Sequence, residues 1–286
     1  MHVRHGSPLA ELALCLMAAL APVVASASAE SARPKSSPDV RSHSYLVLDE
    51  EDASVIAARN ERTAAPIASL TKLMTAIVVL EGGQPMDEML TITADDVRGT
   101  AGSGSRLGKG ARLSRADMLH LALMSSENRA AHVLCRTYPR GQAACVKAMN
   151  AKARTLGMKS ARFVEATGLS AGNVASAQDL AKLVLAAAHY PKIREYSTDP
   201  EHTVRLGRGS LEFRNTNNLV KNPAWQVKLQ KTGYTAEAGR CLVMQTVIDG
   251  RDVVIVLLNS WGKYTRTADA KRIRSWIETQ NGYASL

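Results

Sequence analysis

Aromatic residues are scarce in this chain, at 4% of 286 residues, so a hydrophobic core has to be built from Ala, Val, Leu and Met. The apolar content of 45% is enough for one. Cysteine is also sparse. Cys15 falls in an N-terminal segment that reads as removable, which leaves Cys135, Cys145 and Cys241. That odd number excludes a complete disulfide framework. Cys135 and Cys145 flank Tyr138-Pro139-Arg140-Gly141, a turn between two expected helices, and either a bridge or two buried thiols fits there. Cys241 lies in an apolar strand and reads as core. The histidines show no His-x-x-x-His pair, so no metal site is expected, and His120, His132 and His189 read as helix-face residues. Nothing implies a cofactor. Acidic residues are outnumbered, giving a net charge of +10. Such a charge suits anionic envelope polymers or membrane surfaces. Nucleic acid is not an expected partner, because the basic residues are scattered and no binding motif accompanies them. There is no internal repeat.

Long apolar runs are absent apart from Leu12 to Val24, which is short of the ~20 residues a spanning helix needs. Arg4 precedes this run, and the small-residue sites Ala25-Ser26-Ala27 and Ala27-Ser28-Ala29 follow it. The pattern predicts a cleaved signal peptide over 1–27 rather than a stable membrane anchor. No twin arginine is present, which points to the general secretory route. Leu14 before Cys15 argues against a lipoprotein. Residues 28–42, rich in Ser, Pro and charge, read as a flexible leader, and 43–286 as one folded domain.

Residues 43–49 and 54–58 read as a hairpin, and 69–81 as a helix with an apolar face, stopped by Gly82-Gly83. The stretch 84–113 reads as loop, including Gly102-Ser-Gly-Ser-Arg106. Ser114-x-x-Asp117 opens a helix to about Met124, and helices follow over 128–137 and 142–156. Ser176-x-x-Asp179 caps another that ends near Tyr190-Pro191. A hairpin around Gly207-Arg-Gly209, three β-rich stretches over 225–231, 239–248 and 252–258, and a helix over 264–280 complete the chain. Strands open and close the chain while helices fill its middle. This predicts an α+β fold: one antiparallel sheet between a helical block and the terminal helix.

Three short motifs stand in a fixed order: Ser69-Leu-Thr-Lys72, Ser126-Glu-Asn128 and Lys231-Thr-Gly233. Ser69 and Lys72 share a helix face. A serine is a poor nucleophile until a base takes its proton, and a lysine serves only if burial or nearby positive charge makes it neutral. The apolar run behind Lys72 offers burial, and Lys231 a positive field. Ser126 interrupts a helical stretch and is placed to relay a proton, while Asn128 is placed to hold a substrate amide. Lys231 and Thr232, at a strand end, suit a carboxylate. Gly233 permits a close backbone approach, and the N–H of Tyr234 can pair with that of Ser69 as an oxyanion hole. Taken singly, each motif is also satisfied by a helix cap or a turn. Ser260-Trp-Gly-Lys263 repeats the first pattern without the other two, and reads as structural.

With their flanks, these residues resemble the low-molecular-mass penicillin-binding proteins, the active-site serine D-Ala-D-Ala peptidases. The flanks are Pro66 to Ala76, Leu121 to Ala131, Phe163-Val-Glu-Ala-Thr-Gly-Leu169, Asn215-Thr-Asn217, and Lys231 to Thr235 with Ala238-Gly239. The resemblance spans roughly 43–280 and implies a serine β-lactamase/DD-peptidase-like fold, with 43–286 as the catalytic domain. It implies peptidoglycan peptide stems as substrates, β-lactam antibiotics as covalent inhibitors and a periplasmic location. Ser69 would form the acyl-enzyme and Lys72 act as base. Ser126 would assist proton transfer, with Lys231 and Thr232 anchoring the carboxylate. The motif flanks, and a chain ending after its closing helix, resemble the short subgroup that cuts D-Ala–diaminopimelate cross-links. An endopeptidase is therefore expected ahead of a carboxypeptidase. A β-lactamase would need a deacylating carboxylate, for which Glu165 is the nearest candidate, although its setting reads as a structural turn. A non-catalytic peptidoglycan binder is the reading from another class, and the intact Ser69, Lys72, Ser126 and Lys231 argue against it.

Overall fold

A computed structural model describes residues 37–284 of the chain. The expected signal peptide, and the leader as far as residue 36, lie outside these residues. A five-stranded sheet runs in the order Val55–Arg59, Ser44–Asp49, Arg251–Ser260, Gly239–Ile248, Gln226–Thr235, with every neighbour antiparallel. As expected, strands from the two ends of the chain pair, with Leu46 opposite Val256. The strand Arg251–Ser260 is apolar from Val253 to Leu258 because side chains alternate there between two covered faces. Val254, Val256 and Leu258 join the core under the helical block. Val253, Ile255 and Leu257 join a second core with Ala270, Ile273 and Ile277 of the terminal helix Thr265–Ala284.

On the larger side, the helix Thr71–Glu81 is buried on every face from Thr71 to Val79, not only along one stripe. A helix with that burial sits inside a domain rather than on it. It packs against the helices Gln142–Thr155 and Ala177–Ala188. The expected caps form: Ser114 accepts from the Asp117 N–H at 3.0 Å, and Ser176 from the Asp179 N–H at 3.1 Å. Two helices were not foreseen. Ala94–Gly99 lies within the stretch read as loop and is opened by a Thr93/Asp96 capping box. Pro191–Thr198 starts at Tyr190-Pro191, the point at which the sequence predicts a helix end. Proline at the first helical position lacks only an N–H that would have no partner anyway.

Cys135 and Cys145 are bridged, with their Cα atoms 5.5 Å apart. The link ties Asn128–Arg136 to Gln142–Thr155 across the turn. Cys241 is a buried free thiol. The end of the expected flexible leader is packed down. Val40 and Ser42 are buried, and the buried Asp269 carboxylate accepts from the Arg41 N–H at 3.0 Å and the Ser42 N–H at 2.7 Å. A polar stretch is ordered here because one carboxylate satisfies its backbone donors. Ser260 is buried, 2.6 Å from the Ser42 hydroxyl, so the repeated Ser-x-x-Lys pattern has a structural serine.

Candidate functional site

Ser69 lies in a 3₁₀ turn, Ala68–Leu70, that leads into the helix Thr71–Glu81. It thus sits one step ahead of the α-helix rather than in its first turn. Ala68 has φ 46°, a left-handed conformation that L-residues seldom adopt. Two glycines press against this turn. A Cβ on Gly168 would stand 1.9 Å from the Ala68 carbonyl oxygen, and Gly168 itself has φ 83°. A Cβ on Gly233 would stand 3.0 Å from the Ser69 nitrogen. The missing side chain of Gly233 therefore admits the nucleophile turn, where the expectation was an approaching substrate backbone. The end of strand Gln226–Thr235 is thereby brought against the Ser69 amide.

Lys72 is 1% exposed. Its Nζ donates to Ser69 Oγ at 2.9 Å, Asn128 Oδ1 at 2.7 Å and the Thr167 carbonyl at 2.7 Å. Burial lowers its pKa to about 7, against the opposing pull of Glu165 and Glu127. Burial does the work that the sequence shared with a field from Lys231. The geometry then decides where the free lone pair points. A carbonyl oxygen only accepts, so Asn128 and Thr167 must keep the two N–H groups of a neutral amine. Ser69 is the one partner with a proton to give. Once Lys72 is neutral, its lone pair faces the Ser69 hydroxyl.

Ser126 sits between the helices Arg115–Met124 and Asn128–Arg136 with φ 62°. Strain of this kind in a non-glycine residue is a feature of functional sites. The Ser126 side chain borders a cleft of about 240 Å³ with Asn128, Arg106 and Phe213. Glu127 caps the second helix, accepting from the Arg129 N–H at 3.1 Å and from the Ser105 hydroxyl. Because the Asn128 oxygen is held by Lys72, its amide N–H₂ is what remains for a substrate carbonyl. A separate cavity of about 740 Å³ is bordered by residues such as Glu50, Arg194 and Lys228 and includes none of the motif residues.

Lys231 is wholly buried and donates to the Thr232 carbonyl at 2.8 Å. Burial, with Lys72 and Arg266 nearby, pushes its pKa well down. This group of cations is short of negative charge, and an arriving carboxylate would favour protonation of Lys231 again. With no exposed surface, Lys231 could act on the cleft only through its charge, and the Thr232 hydroxyl is the motif's candidate for direct contact. The Thr232 hydroxyl lies 2.6 Å from that of Thr216, whose N–H reaches the Met124 carbonyl at 3.2 Å. Thr216 thus joins the Ser126 loop to the Lys231 strand. Arg266, from the terminal helix, donates to the carbonyls of Gly233 at 2.7 Å and Cys241 at 3.0 Å. Tyr234 is 58% exposed at the strand's edge.

The three motifs therefore converge as their order suggested, and the supporting residues were harder to read. The Thr167 carbonyl and the Gly168 backbone act without side-chain chemistry, although both lie in the Glu165-to-Leu169 stretch. Arg266 has no sequence signal. Glu165 is consumed by its own loop: it accepts from the N–H groups of Thr167 at 2.5 Å and Gly168 at 2.7 Å, and from Asn173 Nδ2 at 2.8 Å. A carboxylate so engaged is a poor candidate for activating water.

Residues 30–262 match the model of peptidase family S11, described as D-alanyl-D-alanine carboxypeptidase. A D-alanyl-D-alanine endopeptidase of Pseudomonas aeruginosa is 50% identical over 90% of this chain and 84% of its own. One of Escherichia coli is 46% identical, over 95% and 88%. The crystal structure of a Mycobacterium tuberculosis D-alanyl-D-alanine carboxypeptidase superposes with a TM-score of 0.78 at 26% identity, covering 86% of this chain and 95% of that one.

Proposed function

Because the chain belongs to the D-alanyl-D-alanine carboxypeptidase family S11, we propose that it is an exported endopeptidase that cuts peptidoglycan cross-links through a Ser69 acyl-enzyme. The observation that carries the chemistry is the Lys72 arrangement, in which two carbonyl acceptors leave only Ser69 as a proton donor. Neutral Lys72 takes the Ser69 proton as Oγ attacks the D-Ala carbonyl carbon. The oxyanion is held by the N–H groups of Ser69 and Tyr234. As the C–N bond breaks, Ser126 passes a proton from Lys72 to the leaving amine. Thr232, backed by the charge of Lys231, holds the carboxylate of the leaving residue. Asn128 holds an amide of the acyl-donating stem. Water then attacks the ester and frees Ser69. A β-lactam carries the same carbonyl and carboxylate, and would acylate Ser69 in the same way.

Cross-link cleavage, rather than trimming of pentapeptides, is supported by the two endopeptidase relatives at 50% and 46% identity. A periplasmic site of action is supported by the signal-like segment 1–27. No helix of the described residues is long and apolar enough to cross a membrane. The deciding experiment offers purified protein cross-linked muropeptide dimers and monomeric pentapeptides. Dimer cleavage is expected. Release of D-Ala from pentapeptide with dimers left intact would overturn the endopeptidase reading in favour of a carboxypeptidase.

A further inference from the structure

One run of residues beside the motifs has no part in the chemistry so far: Asn215-Thr216-Asn217. It is fastened to Gln226–Thr235, the outermost strand of the sheet. Its two asparagines are buried, and Thr216 between them is exposed. The Asn215 amide donates to the carbonyls of Ser197 at 2.9 Å and Asp199 at 2.8 Å. Its oxygen accepts from Gln230 Nε2 and from the Asn217 N–H, each at 2.9 Å. Asn217 Oδ1 accepts from the Leu219 N–H at 3.1 Å. Buried amides satisfied at this many points hold one geometry. Gln230 is the neighbour of Lys231, so the run keeps a fixed position against the third motif. Its neighbours thus hold Thr216 in place, and the Thr216 hydroxyl is not needed for that.

The hydroxyls of Thr216 and Thr232 lie 2.6 Å apart, a normal O–H···O distance. Among the described residues Thr232 Oγ1 has no other hydrogen-bond partner. Each hydroxyl brings one proton, and the bond between them uses one. Its direction decides what Thr232 can do. If Thr232 donates to Thr216, it meets an arriving carboxylate with lone pairs only, and repels it. If Thr216 donates to Thr232, the Thr232 proton is left for the carboxylate. The competing acceptor for the Thr216 proton is the Met124 carbonyl at 3.4 Å. That distance exceeds the usual limit of about 3.0 Å for an O–H donor. The same carbonyl already accepts the Thr216 N–H at 3.2 Å. Met124 therefore holds the hydroxyl proton weakly, and turning it toward Thr232 costs little.

We propose that Thr216 is a positioning residue, whose hydroxyl donates to Thr232 and so aims the Thr232 proton at the carboxylate on the leaving side. The proposal rests on the acyl-enzyme reading above, in which Thr232 holds that carboxylate. Its benefit is confined to ligands that carry the negative charge. An ester at the same place accepts a hydrogen bond far less strongly than a carboxylate does.

The test compares penicillin with its methyl ester, which keeps the β-lactam carbonyl and removes the charge. The quantity measured is the second-order rate constant for acylation of Ser69. In Thr216→Ala the rate with penicillin should fall about tenfold, the lower end for a hydrogen bond to a charged group. The rate with the ester should stay within about twofold, as expected when no charged hydrogen bond is lost. Thr216→Ser, which keeps the hydroxyl, should restore the preference for the acid. Should Thr216→Ala fail to fold, Thr216→Val removes the hydroxyl while keeping the branched shape, and the same results are expected. An equal loss with both compounds makes Thr216 merely structural and overturns the proposal. So does an unchanged rate with penicillin, or a serine variant as impaired as the alanine one. Any of these, in a parent chain that penicillin acylates on Ser69, sinks this inference alone. A parent chain that neither compound acylates sinks the acyl-enzyme reading and this inference with it.

Discussion

At the scale of single residues, the proposed chemistry turns on how Lys72 loses its proton. Its pKa of about 7 follows from burial, so acylation of Ser69 by a fluorescent penicillin should rise as pH is raised through about 7 and level off above it. Lys72→Arg should abolish labelling, because a guanidinium does not become neutral at these pH values; retained labelling would remove Lys72 as the base. The same shift has a consequence for stability. Between about 7 and the ordinary 10.5 the unfolded chain binds a proton at this position and the folded chain does not. Stability from this group therefore rises with pH across that window. A second prediction concerns Gly168. Gly168→Ala would drive a methyl group into the Ala68 carbonyl at a left-handed position, with a cost of about 3 kcal/mol. Thermal denaturation should show the loss, and penicillin labelling should fall with it as Ser69 is displaced. Side chains whose own chemistry suits the proposed reaction, such as Ser69, Lys72 and Lys231, are legible in the sequence. The Thr167 carbonyl is not, because every residue has one and only the fold says which is aimed at an amine.

The bridge between Cys135 and Cys145 acts at the scale of elements, where it holds two helices together across a turn. The residues lie 10 apart, and closing a loop of that size constrains the unfolded chain by about 3 kcal/mol. Reduction, or replacement of both cysteines by alanine, should lower the denaturation midpoint accordingly. Below that midpoint, acylation of Ser69 should persist. Asn128 begins its helix under a cap from Glu127, and Arg136 ends it on the buried Asp96 at 2.9 Å. Both ends are anchored without the disulfide. Loss of labelling in the folded, reduced protein would show that the bridge positions the site as well. Sequence spacing left the pairing open because it says nothing about the distance between Cα atoms. The helix Ala94–Gly99 was passed over because its six residues are too short to show a period. Its capping pair, Thr93 and Asp96, was readable in the chain.

For the whole molecule, the sheet separates two cores with different tasks. Ser69, Lys72, Ser126 and Asn128 belong to the side of the helical block. The terminal helix covers the opposite face and binds the chain entering the domain through Asp269. The antiparallel sheet was legible from strand placement at the two ends of the chain, and the strand Arg251–Ser260, with its apolar run Val253 to Leu258, lies at its centre. The packing of residues 38–42 was hidden, because its causes lie elsewhere in the chain: the second core that takes Val40, the Arg59 guanidinium on the Val40 carbonyl, and one carboxylate more than 200 residues away. Asp269→Ala tests this division. Removing the carboxylate leaves the Arg41 and Ser42 N–H groups and the Ser42 hydroxyl without that acceptor in a buried place, a loss of about 3 kcal/mol at 1–3 kcal/mol for an unsatisfied group. Denaturant unfolding should show a lower midpoint. The second-order rate of Ser69 acylation by penicillin, measured well below that midpoint, should match the parent chain, because the lost bonds lie across the sheet from Lys72. The same helix also reaches the strand beside Ser69, where Arg266 holds the Gly233 carbonyl. A slower acylation rate in folded Asp269→Ala would mean that the terminal helix shifts as a unit and carries Gly233 with it.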